Sequence, residues 1–299
     1  MSPRFSVQIL MYDCDRFILP AIENCAPFVE KIYIARSDMP WSYDPAARDR
    51  FRNRTSAEIL LESPHFKKIE LVEGDWPTEE AQRNSCLERA RAAGFDYMII
   101  QDADEFYTRE AYAENLRGIA ENPGYDYYTA PFLGFWKSLK YVLIGAGGSN
   151  VTGRPPFAVD CRREVSFTRA RLPQPRKSFD LSGECYHLSF VLSDDEVRGK
   201  LGTWAHAHQF DRERWFLRKW LGWNPVYTRN LHPTNPKVWR RAEEFHGAMP
   251  PETATLDVPL AAPRFSAASL VWEQYHKVFL AALDSARAVK RKIVEMEKV

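Results

Sequence analysis

Short apolar runs alternate with longer amphipathic segments over the first third of the chain. The apolar runs, each of the length expected for a buried strand, are Phe5–Tyr12, Lys31–Ala35, Lys68–Val72 and Tyr97–Gln101. Between them, Asp15–Val29 has helical character, and a further helix is predicted to begin after Thr78 as its N-cap and to end at Gly94. This rhythm predicts the α/β class, with a doubly wound, mostly parallel sheet flanked by helices.

The pattern changes after residue 125. Short strand-like segments alternate with glycine and proline breaks as far as Phe190, which predicts a mixed extension of the sheet with long loops. Helical signals return over Asp194–Trp223, behind Ser193 as an N-cap. Residues 224–265 are rich in proline and are predicted to be irregular. Residues 266–299 predict a long amphipathic helix.

Composition excludes several classes of protein. Of the 299 residues, 45% are hydrophobic, which is enough for a full core and excludes intrinsic disorder. The 41 Lys and Arg against 40 Asp and Glu give a net charge of +1, which argues against a dedicated nucleic-acid binder. No run approaches the ~18 apolar residues of a membrane span, and no signal-peptide pattern opens the chain. The five scattered cysteines form no CxxC pair, so we expect a cytoplasmic protein.

The most informative residues follow the fourth apolar run. Asp102 and Asp104, spaced i and i+2, stand where that strand ends, with Glu105 beside them. In open α/β sheets, ligands bind beyond the carboxyl ends of the strands. Two carboxylates there can face one Mg²⁺ or Mn²⁺, because these ions are often held by one or two carboxylates together with substrate phosphates. An acidic loop without a metal is the alternative.

Histidines cluster later in the chain. His187 lies in a strand-like segment, and His206 and His208 follow it closely. Imidazole can complete a metal shell or act as a general base. The alternative at each position is a histidine that is packed or solvated. Together with the acidic motif, the cluster favours a metal site.

Four motifs in order resemble a known enzyme family. They are Trp76 with Glu80 and Gln82-Arg83-Asn84, the acidic motif at 102–105, Tyr-His-Leu-Ser-Phe at 186–190, and Trp-Ala-His at 204–206. They are similar to the β-1,4-N-acetylglucosaminyltransferases that make bisecting GlcNAc and to bacterial family-2-like glycosyltransferases, with Tyr186 where that family usually has tryptophan. The resemblance covers residues 5–215 and implies a glycosyltransferase of the A-type (GT-A) fold.

The resemblance also implies a donor site and a metal. For the nucleotide sugar it implies a set of residues from four segments: Tyr12, Asp13, Arg36, Arg83, Asn84, Asp102 and Ala103. For Mn²⁺ or Mg²⁺ it implies Asp102 and Asp104, with His206 completing the shell. A solvated surface charge is the alternative role for Arg36 and for Arg83.

The sequence offers several candidates for the general base and for the acceptor site. A base must reach the acceptor oxygen at about 2.6–3.2 Å, and a sequence gives no distances. The candidates for the base are Glu184, His187, Asp180 and Glu105. Candidates for the acceptor site are the rings of Trp136 and Tyr141 and the basic pair Arg176 and Lys177. The alternatives are core packing for the rings and a solvated loop for the basic pair.

These inferences divide the chain into two parts. Residues 1–223 are expected to form one GT-A domain, with a nucleotide-binding half at 1–110 and an acceptor and metal half at 111–223. Residues 224–299 are expected to be a proline-rich segment and a C-terminal helix packed on that domain. The basic, amphipathic end of this helix also permits peripheral contact with the inner face of the cell membrane or pairing in a homodimer.

The sequence therefore predicts a metal-dependent glycosyltransferase. We expect it to move a sugar from a nucleotide-diphosphate sugar, with UDP favoured, to a glycan or glycolipid acceptor, and by analogy to invert the anomeric centre. A metal-dependent phosphoesterase or nucleotidyltransferase is one alternative. A non-catalytic module that binds a nucleotide sugar is another.

Overall fold

The computed structural model describes residues 2–43, 45–175, 177–203, 209–235, 237–258, 263, 265–275, 278–279, 281–282 and 285. The strands in these ranges are β1 (Phe5–Met11), β2 (Lys31–Arg36), β3 (Ile69–Glu73), β4 (Tyr97–Ile100), β5 (Glu105–Tyr107), β6 (Tyr127–Thr129), β7 (Phe132–Trp136), β8 (Ser138–Ile144), β9 (Val151–Gly153), β10 (Pro156–Asp160), β11 (Ser166–Arg169), β12 (Leu172–Gln174), β13 (Ser178–Asp180), β14 (Cys185–Phe190) and β15 (Arg241–Glu244). The helices are α1 (Asp15–Cys25), α2 (Pro45–Arg50), α3 (Glu79–Ala92), α4 (Arg109–Glu121), α5 (Asp194–Thr203) and α6 (Arg212–Trp215), which continues as a π-helix over Phe216–Leu221.

Seven of the described strands form the main sheet, in the order β13-β6-β10-β4-β1-β2-β3. Strands β1 to β4 are parallel to one another, and β13 is parallel to β6. Strand β10 runs antiparallel to both of its neighbours. The predicted α/β class, with a mixed, mostly parallel sheet flanked by helices, is confirmed.

Helices cover both faces of the main sheet, which explains the continuous apolar runs in the sequence. Alternate residues of a strand point to opposite faces. Val7 and Ile9 of β1 pack with Ile18 of α1 in one core, whereas Met98 and Ile100 of β4 pack with α3 in a second core. Every position of the central strands is therefore apolar or buried.

A second sheet continues directly from the first. Its order in the described chain is β15-β8-β7-β14-β5, with β9 paired to β7. The acidic motif is the link between β4 of the main sheet and β5 of the second. Strand β14 pairs with β5 and places His187 opposite Glu105. The junction of the two sheets thus brings the acidic motif and a predicted site histidine together.

An aromatic core supports the second sheet. The ring centroid of Trp136 in β7 lies 5.4 Å from that of Phe190 in β14 and 5.1 Å from that of Trp220 in the π-helix. Aromatic pairs of this kind add about 0.5–1.5 kcal/mol beyond the burial of their area. Leu201 of α5 belongs to the same buried cluster. The cluster therefore fixes α5 against the strand that carries His187.

The segment 224–265 differs from the irregular structure predicted for it. Residues Arg241–Glu244 form β15, which is antiparallel to β8 and extends the second sheet. Ala242 alone in this strand is fully buried, so the strand has no apolar run that a sequence pattern could reveal. In the described part of the chain, no helix is long and apolar enough to cross a lipid bilayer.

The predicted C-terminal helical extension is anchored at its start. Residues 267–275 are helical, and the Oγ of Ser266 accepts a hydrogen bond from the Ser269 N–H. The Nζ of Lys219 lies 2.5 Å from the Oε1 of Glu273, and both side chains are almost fully buried. A buried charge without its partner is strongly unfavourable. This ion pair therefore fixes the helix to the π-helical segment.

Candidate active site

The acidic motif is split between two environments. The side chains of Asp102 and Asp104 are partly exposed, at 29% and 23%, whereas Ala103 and Glu105 are buried. The Glu105 N–H donates to the Asp102 carbonyl at 3.0 Å, which closes the chain into a tight turn at the carboxyl end of β4. The turn therefore presents two carboxylates to solvent and directs a third into the protein.

Two arginines hold Asp102. The Nη2 of Arg83 donates to both carboxylate oxygens, at 2.9 and 3.0 Å, and the Nη1 of Arg171 donates to Oδ2 at 3.2 Å. Arg83 is itself buried and fixed by Glu79, one turn earlier in α3. Burial opposes the ionisation of Asp102, but Arg83 and then Arg171 outweigh it, so the pKa of this carboxyl is lowered. Asp102 is therefore an anion in a fixed orientation.

Arg171 also neutralises Glu105. Its Nη1 and Nη2 donate to the two oxygens of the buried carboxylate, the second at 2.9 Å. Burial raises the pKa of Glu105, and the guanidinium opposes that rise. The carbonyls of Pro156 and Ile100 each accept a hydrogen bond of 2.9 Å from Arg171, which fixes the guanidinium plane. Sequence reasoning missed Arg171, because no motif links a loop residue to carboxylates so far away in the chain.

Asp104 faces His187. Its Oδ1 lies 3.8 Å from the Nε2 of the imidazole, and its carbonyl accepts a hydrogen bond of 2.8 Å from the Leu188 N–H. Burial lowers the pKa of His187, with Asp104 opposing the shift, and the ring is therefore neutral and able to act as a ligand. The structure brings together these two predicted residues from separate motifs.

The donor atoms here fit one divalent cation. One ligand atom from each of Asp104, Glu105 and His187 lies within 4.8 Å of the others. Because Arg171 engages both oxygens of Glu105, the groups open to a cation are the Asp104 carboxylate and the His187 imidazole. Two protein ligands, with the remaining positions filled by phosphate and water, suit Mg²⁺ or Mn²⁺.

A half-buried lysine lies beside this pair. The Nζ of Lys200 in α5 donates to the carbonyl and the Oγ of Ser189, at 2.7 and 2.6 Å. Ser189 lies two residues after His187 on the same face of β14. Burial lowers the pKa of Lys200, and the charges of Asp104 and Asp102 oppose that shift. No motif in the sequence indicated this lysine, because its position depends on how α5 packs on β14.

The residues predicted at the ends of β1 and β2 also meet. Asp13 has a φ of 47°, and its carboxylate accepts a hydrogen bond of 2.8 Å from the Arg54 N–H. Arg36 pairs with Asp38 at 2.7 Å. Asn53 connects the two strand ends.

The Asn53 amide connects those strand ends through four hydrogen bonds. Its Nδ2 donates to the carbonyls of Met11 and Ser37, both at 2.9 Å. Its Oδ1 accepts from the N–H groups of Asp13 and Thr55, at 3.1 and 3.0 Å. The buried hydroxyl of Tyr12 has no hydrogen-bond partner among the described residues. Asn53 was not among the residues predicted for the donor site.

Asn84 has a different role from the predicted one. Its Nδ2 donates to the Phe167 carbonyl and its Oδ1 accepts from the Phe167 N–H, both at 2.8 Å. Both ends of the amide are therefore engaged in holding β11 against α3. These bonds argue against contact between this side chain and a nucleotide.

The two aromatic residues expected at the acceptor site require a correction. The side chains of Trp136 and Tyr141 are 0% and 8% exposed, and both lie in the aromatic core of the second sheet. A sugar cannot stack on a ring whose faces are covered by other side chains. Burial therefore argues against an acceptor-binding role for both.

Of the remaining predicted residues, the three that the structure describes lie on other segments than Asp104. Asp180 is on β13, three strands from β4 and thus roughly 14 Å from it, where it accepts a hydrogen bond from Thr129. Lys177 lies just before β13, with its Nζ 4.9 Å from the ring centroid of Tyr125. Glu184 precedes His187 by roughly 10 Å of extended chain. Arg176 and His206 lie outside the described residues.

The double role of Arg171 leads to a stability prediction. Arg171→Met leaves the Glu105 charge buried without a partner, and we expect the free energy of unfolding to fall by about 3–5 kcal/mol. The double variant Arg171→Met with Glu105→Gln removes both charges and should recover most of that loss. Urea denaturation of the two variants measures the difference. If Arg171→Met is as stable as the double variant, the ion pair between Arg171 and Glu105 does not have the importance assigned to it.

Comparison with known proteins identifies no family for this chain. No family model matches the chain, and no curated protein matches its sequence. One similar solved structure is 4-diphosphocytidyl-2C-methyl-D-erythritol synthase from Anaerococcus prevotii, at 15% identity and a TM-score of 0.35, covering 62% of this chain and 90% of that one. Another is a mannose-1-phosphate geranyltransferase from Thermus thermophilus, at 14% identity and a TM-score of 0.30, covering 54% of this chain and 50% of that one. At this level of similarity neither structure indicates what the chain binds.

Proposed function

We propose that this chain is a metal-dependent glycosyltransferase that uses a nucleotide-diphosphate sugar. The observation that carries the proposal is the group formed by Asp104, His187 and Lys200 beyond the carboxyl end of β4. It combines a carboxylate, a neutral imidazole and a half-buried ammonium group in one place. Such a group suits a ligand that carries both a divalent cation and a diphosphate.

Asp104 and His187 would hold the Mn²⁺ or Mg²⁺, with Asp102 beside them. When bound, the ion would act as a Lewis acid that neutralises the charge developing on the leaving diphosphate. Lys200 would add a second positive charge to the same phosphates. Its hydrogen bonds to Ser189 hold the ammonium group in place before the ligand arrives, so little reorganisation is needed.

The nucleoside would extend from the acidic motif toward the ends of β1 and β2. Strand β1 lies between β4 and β2, so the carboxyl ends of these parallel strands are neighbours. The Tyr12 hydroxyl, buried without a partner in the described structure, would find one on the base or ribose. UDP is the nucleotide favoured by the resemblance of the motifs. A glycan or glycolipid would be the acceptor.

The arginine contacts favour a single cation over a two-metal phosphoesterase. A second ion needs further carboxylates close to the first. Arg83 and Arg171 occupy Asp102 and Glu105, the two carboxylates nearest to Asp104 in the motif. The site thus supports chemistry on one metal-bound diphosphate. Nucleotidyl transfer remains the alternative, and its products separate it from glycosyl transfer.

The first prediction of this proposal concerns nucleotide binding. Calorimetric titration of UDP should detect binding only with Mn²⁺ present, because the ion bridges the diphosphate to the protein. Asp104→Asn and His187→Gln should each weaken that binding about tenfold or more, since each removes one of two protein ligands. Glu62→Gln, an exposed carboxylate elsewhere, is the matched control and should bind as the wild type does. Equal UDP binding with and without Mn²⁺ would contradict the proposed site.

The second prediction concerns the reaction. Incubation with a panel of UDP sugars and Mn²⁺ should release UDP, because water slowly replaces the missing acceptor. A second incubation supplies UTP and a sugar phosphate instead. From these substrates a nucleotidyltransferase would form a UDP sugar and release pyrophosphate. Lys200→Met should lower the rate of UDP release by about 10–100-fold through loss of a charge-assisted contact, and Lys200→Arg should retain part of it. Pyrophosphate release without UDP release would overturn glycosyl transfer in favour of the alternative.

A further inference from the structure

The C-terminal helix exposes apolar side chains to solvent. Val271 and Tyr275 are each 69% exposed, and Val278 is 68% exposed. Their spacing of four and then three residues is the spacing of side chains that share one face of a helix. A helix that packs on its own domain normally exposes a polar face. This exposed apolar face is therefore unusual.

The opposite face of the same helix already has a partner. Glu273 is buried in its ion pair with Lys219, and its second carboxylate oxygen accepts a hydrogen bond of 3.4 Å from the Arg229 N–H. Trp272 and Leu270 are partly buried. The helix is thus held from one side while its apolar side chains face outward. Rotation of the helix to bury them would break the buried ion pair.

Basic groups lie beside the apolar face. The guanidiniums of Arg218 and Arg214 lie 4.4 and 5.7 Å from the ring centroid of Trp272. Leu217, 48% exposed, adds apolar surface on the adjoining π-helix. The sequence after residue 285 adds further positive charge at Arg287, Lys290, Arg291 and Lys292, against Glu295 and Glu297.

We propose that the apolar face formed by Val271, Tyr275 and Val278 of the C-terminal helix binds the surface of an anionic membrane. Apolar and aromatic side chains next to arginines match an interface where acyl chains meet negatively charged headgroups. Pairing with a second copy of the chain fits less well, because a two-fold contact across this face would bring two sets of arginines together. The proposal is independent of the chemistry assigned to the active site.

Cosedimentation with vesicles tests this surface. The full chain should sediment with vesicles of phosphatidylglycerol and phosphatidylcholine, and weakly or not at all with pure phosphatidylcholine. The variant Val271→Ser/Tyr275→Ser/Val278→Ser should lose binding. The variant Arg214→Gln/Arg218→Gln should bind about fivefold more weakly for each charge removed near the surface. All variants should keep the circular dichroism spectrum of the wild type, since every substituted side chain is exposed except Arg218, which is half-buried.

A matched control is available on another surface. Leu61→Ser/Phe66→Ser removes two exposed apolar side chains, 64% and 46% exposed, next to Lys67 and Lys68. It should bind anionic vesicles as the wild type does. The proposal is overturned if the triple serine variant binds as tightly as this control. It is also overturned if light scattering shows a wild-type dimer that only the triple serine variant loses, because a second copy would then cover the face.

Discussion

Three carboxylates at the junction of two sheets need compensating charge, and this requirement organises the centre of the molecule. Arg83 reaches Asp102 from α3, while Arg171 reaches Asp102 and Glu105 from the loop before β12. A buried carboxylate without a partner would shift toward its neutral form or destabilise the fold. Because both arginines come from outside the acidic segment, the motif keeps its shape only when the main sheet, α3 and the loop are in place.

The same arrangement decides which groups stay available for chemistry. With Asp102 and Glu105 engaged, Asp104 is the carboxylate of the motif that turns toward His187. The pairing of β14 with β5 brings the imidazole there, and the aromatic core behind β14 holds α5 so that Lys200 lies next to it. Stability and proposed function thus depend on one charge network, in which the arginines fix the site and leave one carboxylate for a cation.

The main sheet could be predicted from sequence because its strands are covered on both faces and appear as continuous apolar runs. The N-cap at Thr78 and the end of α3 near Gly94 could also be predicted, since the capping of a helix depends on residues close in sequence. Strand β15 could not be predicted in this way, because Ala242 is its one buried residue and the strand is defined by its pairing with β8. In the site, too, only residues that belong to local motifs could be predicted. Asp104 and His187 were found in this way, whereas Arg171 and Lys200 reach the site only through tertiary packing. Trp136 was predicted at the acceptor site but is buried, because the sequence around an aromatic residue looks the same whether the ring lines a cleft or packs in a core.

The most direct test of this account is an electron spin-echo measurement on Mn²⁺ bound with UDP. The account predicts nitrogen modulation from a directly coordinated imidazole together with phosphorus coupling from the diphosphate. In His187→Gln the nitrogen modulation should weaken while the phosphorus coupling persists in the remaining complex. Nitrogen modulation absent from the wild type, or unchanged in His187→Gln, would contradict the assignment of His187 as a ligand and with it the proposed organisation of the site.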